Sequence, residues 1–137
     1  MNWKLIFTLS LFGLVMAFAT VSLIPENIES ICWLIIFIVC AYLIAKNASG
    51  KYFLHGFLVS LVNSVWITAV HTYSCTTYLA NHPNAAQMGQ KMQIIPGHIR
   101  WSMLVSGPLF GIGFGLILGL FAFVVSKLMK KKPASQQ

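Results

Sequence analysis

A chain of 137 residues that is 58% apolar and only 8% charged, with a mean hydropathy of +0.79, is excluded from the ordinary soluble domains and belongs with integral membrane proteins. Its length admits one membrane domain of four crossings, at roughly 20 residues each, with short connections and no separate soluble module. The formal charge of +7 does not indicate nucleic acid, because the lysines stand at the ends of apolar runs rather than along a basic face interleaved with aromatics.

The first apolar run, residues 5–24, follows Lys4 and stops at Pro25. It reads as a span. A positive start and the Ala17-Phe18-Ala19 segment also fit a cleaved signal peptide, but the run continues through Val21, Leu23 and Ile24, past the usual length of such a region. Gly13 and Ala17 give this span a small-residue surface suited to the bundle or to a dimer. The second run, 31–45, ends in Lys46-Asn47-Ala48-Ser49-Gly50-Lys51, a polar turn short enough to make spans two and three antiparallel neighbours.

The third run, 52–79, is helix-compatible throughout and, at ~1.5 Å per residue, projects beyond a ~30 Å hydrocarbon core. An outer loop, 81–100, carries Pro83, Pro96 and Gly97. Pro83 disfavours helix at His82, and residues 84–93 are expected to form one or two helical turns with Ala85, Ala86, Met88 and Met92 along a partial apolar edge. Span four covers 101–126. A basic tail, 127–137, sets the Lys127 to Lys132 cluster against anionic headgroups.

Orientation follows from the lysines and arginine. Lys4, Lys46, Lys51, Lys127, Lys130, Lys131 and Lys132 fall on one side, and Lys91 and Arg100 on the other together with Glu26 and Glu29. Positive charge is retained in the cytoplasm, so both termini are expected inside, in a membrane of the bacterial inner-membrane type. Trp3, Tyr52, Tyr73, Tyr78 and Trp101 then fall near the boundaries, where amphipathic rings prefer to sit.

The expected fold class is therefore all-α: an integral membrane four-helix bundle with a Gly-laddered fourth helix. Gly107, Gly111, Gly115 and Gly119 recur every four residues, and Gly113 lies out of register. Lipid competes equally with apolar side chains, so helices in a bilayer associate by close backbone approach, which such a row permits. Span three of the same chain is the expected partner, ahead of span four of a second copy.

Span three carries the organised polarity. At 100° per residue, Ser60, Asn63, Ser64, Thr68, His71, Ser74, Cys75 and Tyr78 gather within about 140°, with Val59, Val62, Val65 and Trp66 largely outside. Such a stripe must face other helices or a small aqueous cavity. In the packing reading, Asn63 donates to a carbonyl bared by the glycine row, which contributes about 0.6 kcal/mol. In the functional reading, Ser60, Asn63, Ser64, Thr68 and His71 line a path for a neutral or anionic solute. No span contains Asp or Glu, which disfavours proton-coupled antiport.

His71 and Cys75 stand one helical turn apart and, with His82, Met88 and Met92, form a speculative soft-metal set for copper or zinc. Two ligands do not make a site, and no metal or other cofactor is expected. Cys32, Cys40 and Cys75 are odd in number and contain no Cys-x-x-Cys pair. Cys40 reads as a packing residue, while Cys32 and Cys75 approach the same side and would pair only if their helices touch. There is no His-Glu-x-x-His helix, no Gly-x-Ser-x-Gly elbow and no carboxylate near a histidine within the spans, so no catalytic residues are assigned.

The lysine-rich second turn, the Phe53-Leu54-His55-Gly56-Phe57 opening of span three, the Tyr78-Leu79-Ala80-Asn81-His82-Pro83 exit and the glycine-rich last span together resemble small four-span bacterial integral membrane protein families of unknown function. The resemblance covers most of the chain and implies the four-span fold but no activity. The expected role is non-enzymatic, structural or accessory. Its partners would be the lipid bilayer and either a second copy or another membrane protein, with no nucleic acid.

Overall fold

The computed structural model describes residues 1–130. Four long helices, α1 (Trp3–Ser22), α2 (Glu26–Asn47), α3 (Tyr52–Tyr73) and α6 (Ile99–Lys130), carry the chain, and two short ones, α4 (Cys75–Asn81) and α5 (Pro83–Lys91), connect α3 to α6. Each long helix is long and apolar enough to cross a membrane. The chain is an all-α, multi-pass membrane protein.

Local chemistry sets the boundaries. The Asn2 side chain accepts from the Leu5 N–H at 3.1 Å and caps α1, satisfying one of the donors that every helix start leaves free. α2 starts at Glu26, ahead of its apolar run, because Pro25 holds an extended backbone and two carboxylates in the first turn complement the helix dipole. The turn after α2 needs Gly50 at φ 154° and places Lys51 in the left-handed region at φ 49°.

The expected single helix over 52–79 is instead two. Ser74, at φ −94° and ψ 26°, ends α3 and begins α4. His82, at φ −129° and ψ 75°, separates α4 from α5, as the residue before a proline is pushed out of the helical region. α6 starts two residues before the predicted Trp101 and runs to Lys130. Lys127 and Lys130 are thus helical, while Lys131 and Lys132 lie outside the described residues.

α3 is the central element. It runs antiparallel to α6, Phe53 facing Gly119 and Thr68 facing Gly107. It runs parallel to α1, with Asn2 bonded to His55 at one end and Thr20 to His71 at the other. The short turn does make α2 antiparallel to α3, yet α2 rests mainly on α6, where Phe37 meets Phe114 edge-on at 6.0 Å. Ile6, Leu9, Phe37, Cys40, Ala41, Ile44, Val59, Leu118 and Ala122 form one buried cluster. Large apolar side chains such as Phe7, Val15, Ile35, Ile38 and Leu109 are turned outward, the arrangement a bilayer solvent favours.

Candidate functional site

The α3–α6 seam is built from backbone. A Cβ added to Gly107 would run into Thr68, and one added to Gly111 into Ser64. One on Gly115 would stand 2.9 Å from the Phe57 ring, and one on Gly119 2.8 Å from the Phe53 carbonyl oxygen. From the other side, Gly56 lies against Leu118 and Gly119, with its own added Cβ 2.7 Å from the Leu118 carbonyl. Ser60 Oγ donates across the seam to the Gly111 carbonyl at 3.3 Å, and Ser64 Oγ returns to Leu61 of its own helix at 2.7 Å. Ser60, Ser64 and Thr68 thus meet glycine backbone.

Other stripe residues turn to α1. Asn63 is buried against Gly13, and its Oδ1 has no hydrogen-bond partner. The sequence reading placed this side chain on a carbonyl bared by α6; it lies instead on the opposite seam, because an arc of 140° is wide enough to address two neighbouring helices. Trp66 Nε1 donates to Ser10 Oγ at 3.3 Å, and Ser10 in turn donates to Phe7 at 2.7 Å. Gly13 and Ala17 are both buried on this α1 face, inside the bundle. Two surface hollows among the described residues, lined by Tyr42, Val125, Leu128 and Met129 and by Met1, Ser49, Gly50, Lys51 and His55, lie at the lysine-rich end. Neither is lined by a stripe residue.

At the opposite end the stripe continues into a cluster that joins four helices. Thr20 Oγ1 lies 2.9 Å from both His71 Nε2 and the Met16 carbonyl. The hydroxyl has one proton, so when it donates to Met16 the imidazole is the donor to Thr20. The His71 ring stacks on Tyr78 at 3.9 Å, and Tyr78 stacks on His82 at 4.4 Å. His82 Nδ1 contacts the Tyr78 carbonyl at 3.0 Å. Its Nε2 lies 3.0 Å from Glu29 Oε2, off the direction of a good hydrogen bond. Burial, reinforced by the carboxylates of Glu29 and Glu26, holds the Tyr78 phenol above its ordinary range. Beside this stack, Glu26 accepts from the backbone N–H groups of Asn84 at 3.3 Å and Ala85 at 3.0 Å. A carboxylate from α2 therefore caps α5.

No family model, curated protein or solved structure matches this chain. What the side chains can do therefore rests on their own geometry.

The soft-metal set is not gathered into a site. Tyr78 is interleaved between His71 and His82, Cys75 Sγ contacts Met103 Sδ at 3.6 Å, and Met88 and Met92 are exposed. Among the described residues, no three His, Cys, Asp or Glu side chains converge on one point. Cys32, Cys40 and Cys75 are free thiols. The sequence reading passed over Ser10, Thr20, Glu26 and Glu29 as participants. Glu26 and Glu29 carried a readable signal, since acidic residues just after a proline mark a helix start, but their contacts with residues 82–85 bridge more than 50 positions of chain.

Proposed function

We propose that this protein is a non-enzymatic membrane bundle with a structural or partner-binding role in a membrane of the bacterial inner-membrane type, both termini on the cytoplasmic side. One observation carries the proposal: Ser60, Ser64 and Thr68, three of the five residues that would line a path, lie against the α6 glycines. The glycine row acts as a zipper that closes the stripe. The lysine distribution supports the orientation.

A small carrier for a neutral or anionic solute is the second reading, and the unpaired Asn63 Oδ1 favours it, since a buried polar oxygen without a donor is unusual in a finished core. Access to a membrane-impermeant thiol reagent separates the two. Single cysteines replacing Ser60, Ser64 and Thr68, in a background without Cys32, Cys40 and Cys75, are expected to resist labelling in intact membranes. Labelling at all three would sink the proposal in favour of the carrier.

A further inference from the structure

The stack at the α4–α5 end has a stereochemical requirement that helix packing alone does not impose. His82 is 1% exposed and the Glu29 side chain 17%. A carbonyl oxygen can only accept, so the contact of His82 Nδ1 with the Tyr78 carbonyl at 3.0 Å fixes the hydrogen on Nδ1. In a neutral ring with that tautomer, Nε2 presents a lone pair. Nε2 itself lies 3.0 Å from Glu29 Oε2, with the oxygen off the in-plane direction of that lone pair. An unprotonated nitrogen and a carboxylate oxygen so close repel each other, whereas a proton held by the pair, with the ring as imidazolium, turns the contact into an ion pair that needs no linear hydrogen bond.

We propose that His82 and Glu29 form a proton-binding site, and that a single proton held by the pair latches the α4–α5 segment to α2. The carboxylate is held ready by its own helix, where Trp33 Nε1 donates to the other oxygen, Oε1, at 3.2 Å. The ring is brought to it by the α4–α5 segment. A protonated His82 also lies with its face on Tyr78 at 4.4 Å, a distance at which an aromatic ring attracts a cation.

The charged and titratable surroundings are accounted for helix by helix. α2 adds Glu26, already engaged by Asn84 and Ala85; α3 adds His71, held by Thr20 of α1; α4 adds Tyr78. Lys91 at the far end of α5 and Arg100 at the start of α6 are exposed. The sign is then definite. At low pH the proton is bound and the segment closed. As pH rises past the titration of the pair the proton leaves, Nε2 and Oε2 repel, and the segment is released from α2. On the side that the lysine distribution makes external, this couples the one connecting segment with its own helices, among the described residues, to outside acidity.

Hydrogen–deuterium exchange of the full chain in lipid nanodiscs tests this, with each amide expressed relative to its intrinsic rate at the same pH. Between about pH 5 and about pH 9, a range that spans histidine titration, protection at Asn84, Ala85 and Ala86 is expected to fall by about tenfold or more, with the steepness of one proton. Glu29→Gln offers a neutral ring an N–H and is expected to keep the segment closed at every pH. His82→Gln removes the titrating ring and is also expected to be flat, so if one variant fails to fold the other decides. Glu26→Gln lowers protection overall without changing the slope. A flat wild-type profile, or a wild-type slope in either Glu29→Gln or His82→Gln, would overturn the proposal.

Discussion

Asn63 and Gly13 show how much depends on single atoms in a bilayer protein. A methyl group at position 13 would be driven into the Asn63 carboxamide, and overpacking of this kind costs about 1–3 kcal/mol. Gly13→Ala is therefore expected to destabilise the bundle by that amount in detergent unfolding. Asn63→Ala removes both the obstacle and the unpaired Oδ1, so the double variant should recover most of the loss, and a double-mutant cycle should return a clear coupling between the two sites. At Thr20, replacement by Val deletes the contact to His71 Nε2 and leaves a buried imidazole nitrogen without that partner. A loss of roughly 1 kcal/mol is expected from the same unfolding measurement. Polarity at Asn63 and His71 was legible in the sequence as part of a helical stripe. Which neighbour each residue faces was not, because that depends on the lateral order of helices, and a single helix's periodicity does not contain it.

Among the helices, α6 offers the clearest contrast, because its glycines occupy two different environments. Gly119 faces the Phe53 carbonyl, which is backbone and cannot rotate aside, whereas an added Cβ at Gly113 has nothing within 4 Å. Gly119→Ala is expected to destabilise by about 1–3 kcal/mol. Gly113→Ala is expected to be neutral or to stabilise by up to about 1 kcal/mol through helix propensity. Equal effects at both positions, measured by unfolding in mixed micelles, would contradict the backbone seam. The four-residue spacing of the row was readable because it matches one helix face and because α3 meets it with Phe53, Phe57, Ser60, Ser64 and Thr68 at spacings of four and three. The break at Ser74 was not readable. The polar run from His71 to Thr77 continues the helical stripe across it, and no glycine or proline marks the place. α5 was legible as a short helix, but its cap was not, since Glu26 arrives from α2 across 58 residues of sequence.

For the whole molecule, the order of contacts around α3 decides what the protein can do. Flanked by α1 and α6 and touched only lightly by α2, α3 spends Ser60, Ser64 and Thr68 on the glycine row and Asn63 and His71 on α1. Four apolar spans were evident from composition alone, whereas this arrangement required the fold. It makes the polar stripe a seam between helices, while the α4–α5 segment is held against α2 by Glu26 and Glu29. The most direct measurement is a cysteine-accessibility scan of α3 in intact membranes, with substitutions at Ser60, Asn63, Ser64, Thr68 and His71, an outward-facing control at Val65 and a half-buried one at Ile67. A packed seam predicts protection from the impermeant reagent at Ser60, Asn63, Ser64 and Thr68, with no rise above the Val65 control. Labelling that recurs at Ser60, Ser64, Thr68 and His71 while sparing Val65 and Ile67 would show a continuous wet face and contradict the account.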